Sequence, residues 1–197
     1  MKKSIEEGLQ KGISYVAYRT LISDLLASGK SSGAIQSEAL LTYSKLNDKR
    51  MKRLDKTSKL TQETIVALKS IDTPVTWLVL TEGWCGDAAQ VLPVLNKIAE
   101  ASSKLDLKLV CRDENDELMN AFLTNGAQSI PKLIVIDTAM NKLVGEWGPR
   151  PSKATEMVSS YKSEHGSLSP EFKQDLQVWY NKDKGVNIAE DLIKLLK

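Results

Sequence analysis

Hydrophobic side chains recur at helical spacing in the opening third of the chain. Apolar residues three or four positions apart predict helices over residues 13–26, 36–55 and 61–70. Thr61 is expected to cap the third helix, because its hydroxyl can accept a hydrogen bond from an unpaired N–H group of the first turn. The first third of the chain is therefore predicted to be all-helical.

The pattern changes near Pro74, where short apolar runs rich in β-branched residues begin to alternate with helical stretches. The four runs that we predict as strands are 75–81, 105–111, 132–137 and 142–147. The helices that we predict among them are 88–102, 114–124 and 151–161. Pro93 is expected to kink its helix, because its ring nitrogen has no proton to donate. This order predicts an α/β domain with a buried first strand in parallel pairing.

The end of the chain is helical in pattern again. Ser169 followed by Pro170 is typical of a helix start. This helix carries Trp179 and Tyr180, which we expect to pack on the domain, with contact to a partner as the alternative. A last short helix is expected over 188–196, capped by Asn187.

These patterns divide the chain into three parts. Residues 1–73 form an N-terminal helical extension expected to pack on the core, 74–163 the α/β domain, and 164–197 a C-terminal helical extension. A length of 197 residues is enough for one main hydrophobic core.

Composition excludes several classes of function. Lys and Arg number 27 against 25 Asp and Glu, a net charge of +2 that gives no basic field for nucleic acid. Two cysteines and one histidine cannot make a four-ligand zinc site, so we expect no metal, and we expect no cofactor. No apolar run approaches the roughly 18 residues of a membrane span. We expect a soluble, cytoplasmic protein without a membrane partner; the oligomeric state stays open.

Cys85 is the residue that points most directly to chemistry. It lies between a predicted strand and a predicted helix, where unpaired N–H groups favour a thiolate and lower the pKa of a thiol. The nearby Asp87 carboxylate works against the thiolate and leaves the sign of the net pKa shift open. Trp84 is expected to shield one side of the sulfur, and Gly86 to let a partner chain approach closely.

Three motifs resemble those of the thioredoxin superfamily in family order. Trp84-Cys85-Gly86-Asp87-Ala88 resembles the family's Trp-Cys-Gly-x-Cys, and Ser129-Ile130-Pro131 resembles its Ile-Pro with a cis peptide bond. Trp147-Gly148 resembles the glycine turn beside its peptide groove. The chain is most similar to small bacterial proteins with Trp-Cys-Gly-Asp-Ala and a Gly-Pro-Arg-Pro segment (148–151). The resemblance implies a thioredoxin-like fold with a central mixed sheet and additional helices at both ends.

Two positions depart from the family pattern. Ala88 stands where the family has its resolving cysteine, so a mixed disulfide on Cys85 must be resolved by another thiol. Val79 stands where the family often has a buried acid, and without a resolving thiol that acid has nothing to deprotonate. The resemblance thus implies a nucleophile without the internal dithiol cycle.

Cys111 is expected to be buried and unpaired. The strand 105–111 should lie beside the strand 75–81, because the crossover helix returns the chain to the neighbouring parallel position. Cys85 lies beyond its strand, which puts the two cysteines about 8–12 Å apart by the roughly 4.8 Å strand spacing plus the loop. A disulfide needs a shorter separation, so we predict no bond between them.

The predicted function is that of a monothiol thiol-disulfide oxidoreductase. Its nucleophile is Cys85, and its partner is a disulfide-containing protein or a low-molecular-weight thiol. The residues expected to contact the substrate are Trp84, Gly86, Asp87, Ile130 and Pro131. The alternative is a non-catalytic module that binds a peptide or protein in the groove around Trp84 and Pro131. Arg150, on a stiff segment between prolines, is a further candidate for binding an anionic group.

Overall fold

The structure is a computed structural model that describes residues 2–196. Along these residues the elements follow in the order α1 (Lys3–Lys11), α2 (Tyr15–Ala27), α3 (Glu38–Thr57), α4 (Gln62–Lys69), β1 (Val75–Thr81), α5 (Gly86–Glu100), β2 (Leu105–Cys111), a 3₁₀ turn (Arg112–Glu114), α6 (Asp116–Ala121), β3 (Lys132–Asp137), β4 (Lys142–Trp147), α7 (Ser152–His165), α8 (Pro170–Asp183) and α9 (Val186–Leu195).

The four strands form one mixed sheet in the order β2-β1-β3-β4. The central strand β1 runs parallel to β2 and antiparallel to β3, and β4 is antiparallel to β3. Every residue of β1 is buried, as expected of a strand covered on both faces. This confirms the predicted α/β fold with a central mixed sheet and extra helices at both ends.

The strand bounds agree with the sequence prediction, whereas several helix bounds differ. Helix α5 begins at Gly86, two residues before the predicted start, because Cys85 caps it. Pro93 lies inside this helix. The predicted helix over 114–124 is shorter, since a 3₁₀ turn precedes α6 and Phe122 ends it.

The prediction that Asn187 caps the last helix is wrong. Gly185, with a φ of 85°, makes the turn before α9, and Asn187 lies inside the helix. The side chain of Asp183 accepts a hydrogen bond from the Asn187 N–H, while the Asn187 amide oxygen accepts one from the N–H of Lys153. Asn187 therefore joins α9 to α7 instead of capping a helix.

Helix α1 was not predicted from the sequence. It is short and mostly polar, but Ile5 is almost fully buried in it. Gly8 comes so close to the core that a Cβ there would lie 2.8 Å from a Leu118 methyl carbon and 2.9 Å from one of Leu78. The absence of a side chain at Gly8 allows this close approach. A single glycine does not produce the repeating pattern of apolar residues from which a helix is predicted.

Both terminal segments contact the helix that follows the central strand. Helix α3 packs along α5, and α9 packs against both α4 and α5. Ser14, Thr61 and Ser169 cap α2, α4 and α8 with their side chains, the last two as predicted. Among the helices described, none has the length and apolar character that crossing a bilayer demands.

Candidate functional site

Cys85 sits at the junction between β1 and α5 as its N-cap residue. Its backbone is extended, with φ −78° and ψ 117°, and the Ala88 N–H donates to its sulfur over 3.4 Å. The sulfur in turn donates its proton to the backbone carbonyl of Ile130, with 3.2 Å between Sγ and the oxygen. The thiol is thus held between the first turn of a helix and the residue before Pro131.

Burial, and not the helix terminus, sets the charge state of this thiol. Cys85 is only 8% exposed, and this burial, reinforced by the charge of Asp87, raises its pKa to about 12. The N–H groups of Ala88 and Asp87 and the charge of Arg150 act in the opposite direction. The sign of the net pKa shift, which the sequence left open, is therefore upward, because burial outweighs the helix terminus.

Asp87 is held in a buried cluster of three side chains. Its Oδ2 lies 2.7 Å from an Nη2 donor of Arg150, and its Oδ1 accepts a 3.1 Å hydrogen bond from the Tyr180 hydroxyl. Burial raises the pKa of Asp87, while Arg150 and Tyr180 act to lower it. Tyr180 packs on the domain as predicted. The charge of Arg150 is paired with that of Asp87 within the protein.

A cavity of about 660 Å³ opens beside the thiol. One wall comes from α3 in the N-terminal extension, and the opposite wall from residues 168–177 of the C-terminal extension. Trp84, Cys85, Gly86 and Asp87 lie between these walls and line the cavity together. Four of the predicted site residues thus meet at one cavity, whose volume falls in the usual range for small-molecule sites.

Ile130 and Pro131 take a different place. Both are buried, and neither lines the cavity; their link to the site is the Ile130 carbonyl that accepts from Cys85. The Ile130–Pro131 peptide bond is cis, and so is Gly148–Pro149.

Trp84 holds its position by stacking. The guanidinium carbon of Arg112 lies 4.8 Å from the centre of the Trp84 ring, and Arg112 also pairs with Asp113 over 2.7 Å. Arg112 therefore supports one side of the site.

Cys111 is buried at the end of β2, where it pairs with Thr81 of β1 as the strand order predicted. Burial is the largest of the causes that raise its pKa to about 12. The charges of three nearby acidic residues, Glu82, Glu114 and Asp113, act in the same direction. Both cysteines are free thiols in the structure.

Glu82 is a buried carboxyl that the sequence reasoning missed. It is 1% exposed and accepts hydrogen bonds from the Asp113 N–H, at 3.0 Å, and from the Ser32 hydroxyl. Burial raises its pKa. Its place directly after β1 and three residues before Cys85 was the signal in the sequence.

Arg50 and Gln177 were missed for another reason. A Cβ at Gly86 would lie 3.7 Å from Arg50 Nη1 and 3.7 Å from Gln177 Nε2, so both side chains reach over the start of α5. They come from the two extensions, and no local spacing connects them with Cys85. In the part of the chain that the structure describes, no group of three or more His, Cys, Asp or Glu side chains is placed to hold a metal ion.

Comparisons with known proteins identify the family. A family model described as Thioredoxin matches residues 33–162, about two thirds of the chain. A solved structure of a protein of unknown function from Pseudomonas aeruginosa is 16% identical, with a TM-score of 0.58 over 93% of this chain and 97% of that one. An HIV epitope-scaffold is also 16% identical, with a TM-score of 0.59 over 93% and 98%. No curated protein matches.

The two solved structures show a shared fold and nothing about activity at this identity. Because they cover 93% of the chain, the likeness extends into the helices outside residues 33–162. The helices that wall the cavity are therefore part of a fold found in other proteins.

Proposed function

The chain belongs to the thioredoxin family, and from that premise we propose that it is a monothiol thiol-disulfide oxidoreductase with Cys85 as its nucleophile. The Cys85 thiolate attacks one sulfur of a disulfide, a new S–S bond forms to Cys85, and the second sulfur leaves as a thiolate. A second, external thiolate then attacks the mixed disulfide and releases Cys85. The Trp-Cys-Gly-Asp-Ala sequence, with a nucleophile and no resolving cysteine, supports the proposal.

The observation that carries the proposal is the position of Cys85 relative to Ala88. The sulfur caps α5 at the wall of a cavity, where a substrate disulfide can reach it. Ala88, one turn further, is 1% exposed and has no thiol to release a mixed disulfide. The site therefore has a nucleophilic cysteine but no second cysteine to release the mixed disulfide. This combination corresponds to a monothiol cycle.

The partners follow from this cycle. It needs a disulfide-containing protein or small disulfide as substrate and a low-molecular-weight thiol as resolving agent. A cytoplasmic location goes with the proposal, because the thiol pool there is kept reduced.

The resting site favours the neutral thiol, and this shapes the mechanism. Only the thiolate attacks a disulfide, and with a pKa of about 12 most of Cys85 stays protonated near neutral pH. Once the proton leaves, the N–H groups of Ala88 and Asp87 and the charge of Arg150 stabilise the negative sulfur. We therefore expect disulfide exchange at Cys85 to be slow near neutral pH.

A second candidate function is a binding module without turnover. The specific observation in its favour is the same burial, since a sulfur that is 8% exposed and hydrogen-bonded to Ile130 is poorly placed to react. In that case the cavity beside Trp84 binds a partner, and Cys85 is a structural cap.

Site-mapped mass spectrometry separates the two candidates. The protein is incubated with an excess of neutral hydroxyethyl disulfide, digested, and the modified peptide identified, with Cys85→Ser as the control. The proposal predicts one mixed disulfide, on Cys85, that an added thiol removes. Absence of any adduct on Cys85 under conditions that keep the protein folded would contradict exchange chemistry and favour the binding module.

A further inference from the structure

The cavity beside Cys85 carries an unbalanced positive charge. Four charged residues line it: Arg50, Asp87, Arg150 and Lys173. Asp87 and Arg150 neutralise each other across 2.7 Å. Arg50 and Lys173 remain, one from each extension.

Arg50 is the more informative of these two cations. It is half-buried, and its Nη1 donates to the amide oxygen of Asn47 over 2.9 Å. Among residues 2–196 it forms no ion pair with a carboxylate. Removing a charge from water without a counter-charge is costly, and burial accordingly lowers the pKa of Arg50. A guanidinium in this position is suited to an anion that comes from outside.

The anion would sit close to the reacting sulfur. Arg50 Nη1 lies near Gly86, the residue directly after Cys85 and the first of a 15-residue helix. The positive end of the dipole of this helix adds to the attraction for negative charge. Lys173, exposed on α8, adds a second positive charge to the cavity.

The rest of the lining is largely apolar and suits the body of a small molecule. Leu40 and Tyr43 of α3 face the cavity from one wall, and Leu168 and Leu176 from the other. With about 660 Å³ between walls that both belong to this chain, the site has the size of a small-ligand pocket.

We infer that the substrate of Cys85 is a low-molecular-weight disulfide that carries a carboxylate, with Arg50 binding the carboxylate while Cys85 attacks the sulfur. This inference rests on the proposed exchange function and names its substrate class. The bond balance is that of simple exchange: the Cys85 thiolate bonds to the sulfur of the bound half, and the other half leaves as a thiolate with the electron pair of the broken S–S bond.

A charge series of small disulfides tests the inference. Three probes share the same reacting bond: dithiodipropionate with two carboxylates, neutral hydroxyethyl disulfide, and cystamine with two ammonium groups. The rate of mixed disulfide formation at Cys85 is measured for each by mass spectrometry at one pH and low salt. Each rate is divided by the rate of the same probe with a free small thiol, because the probes differ in the pKa of the leaving thiol; the pKa of Cys85 then cancels in the ratio of these relative rates.

The expected result is a preference for the anion that depends on Arg50. In the wild-type protein dithiodipropionate should react at least about tenfold faster than cystamine, the lower end of what a focused field gives. Arg50→Gln should bring this ratio close to one, and Arg50→Lys should keep most of it. Arg53→Gln is the matched control, since it removes the same charge from the same helix at an exposed residue that does not line the cavity and donates to Asn181.

Each other outcome has a defined meaning. Equal rates for the three probes, a ratio that survives Arg50→Gln, or an equal fall in Arg53→Gln would overturn the role of Arg50 while the exchange function stands. If none of the probes modifies Cys85, the exchange function fails, and the substrate class fails with it.

Discussion

The two cysteines have the same burial and the same pKa, but they lie in opposite electrostatic surroundings. Each is 8% exposed, and each has a pKa raised to about 12. Around Cys85 one acid, Asp87, is balanced by Arg150, and two backbone N–H groups face the sulfur. Around Cys111 three acidic residues raise the pKa, and one of them, Asp113, is paired with Arg112.

This difference shows that burial alone does not distinguish a reactive thiol from a structural one. Backbone N–H groups and a guanidinium lower the pKa of Cys85, whereas the charged side chains that act on the pKa of Cys111 all raise it. Cys85 also lines a cavity of small-molecule size, while Cys111 is the last residue of the edge strand β2. The comparison therefore supports the proposal of exchange at Cys85, with a packing role for Cys111.

Restoring a resolving thiol is expected to have the largest effect. Ala88→Cys places a second sulfur one helical turn from Cys85, and it should raise the reduction of insulin disulfides by more than about tenfold, because the second step becomes intramolecular. The assay follows insulin reduction with a regenerating reductant. Ala88→Ser is the control for volume and polarity; no gain in the cysteine variant over the serine variant would show that site geometry, and not the missing thiol, limits the activity.

Removing the Asp87 charge should sharpen the contrast between the cysteines. In a Cys111→Ser background, Asp87→Asn should lower the pKa of Cys85 and speed its alkylation at a fixed pH by about tenfold, the equivalent of one pKa unit. The pKa should fall because the Asp87 charge raises it. Removing that charge also frees Arg150 from its ion pair with Asp87. The measurement is the alkylation rate against pH.

The matched experiment concerns the other cysteine. In a Cys85→Ser background, Glu82→Gln should lower the pKa of Cys111, since Glu82 is the first of the charges that raise it. The same substitution with Cys85 present and Cys111 replaced should leave the Cys85 profile near its starting position. If Glu82→Gln shifted the pKa of Cys85 as much as that of Cys111, the two thiols would not lie in separate electrostatic surroundings.

The C-terminal extension is expected to stabilise the Cys85 region through Tyr180. Tyr180→Phe removes the buried hydrogen bond to Asp87 and should lower the free energy of unfolding by about 1–3 kcal/mol, as for a bond to a charged group. Urea unfolding measures it. Tyr161→Phe, which loses a 3.1 Å bond to the Ser169 hydroxyl, is the control and should cost less. Equal costs would mean that the charge of Asp87 adds nothing.

A further effect is expected on stability at high pH. Both thiols hold their protons more tightly in the folded state, so their contribution is complete below the ordinary pKa of 9.0 and is lost as pH rises towards about 12. Replacing either cysteine with serine should reduce the slope of unfolding free energy against pH in this window by at most about 1.4 kcal/mol per pH unit. A slope unchanged in both variants would contradict the raised pKa values.

The sequence predicted the strands well and the enclosure of the site poorly, for a physical reason. Alternating apolar runs gave all four strand bounds, and the order of motifs around Cys85 and Pro131 gave the fold. The walls of the cavity come from α3 and α8, whose nearest ends, Thr57 and Pro170, are 113 residues apart in the sequence. Periodicity shows that a helix has an apolar face but not which partner covers it.

The direction of the pKa shift of Cys85 could not be predicted for the same reason. The helix terminus and Asp87 are local features that the sequence displays, whereas the burial that dominates depends on distant elements. Arg50 and Tyr180 were likewise visible as residues of predicted helices, yet nothing in their spacing related them to the site.

The most direct test of the account compares disulfide exchange at each cysteine alone. Cys111→Ser leaves only Cys85, and Cys85→Ser leaves only Cys111; both react with hydroxyethyl disulfide across a pH series, followed by mass spectrometry. We predict that Cys85 forms a mixed disulfide at least about tenfold faster than Cys111, in a rate that keeps rising above pH 9.0, since its pKa is raised to about 12. Equal rates, or a faster Cys111, would contradict the assignment of Cys85 as the nucleophile.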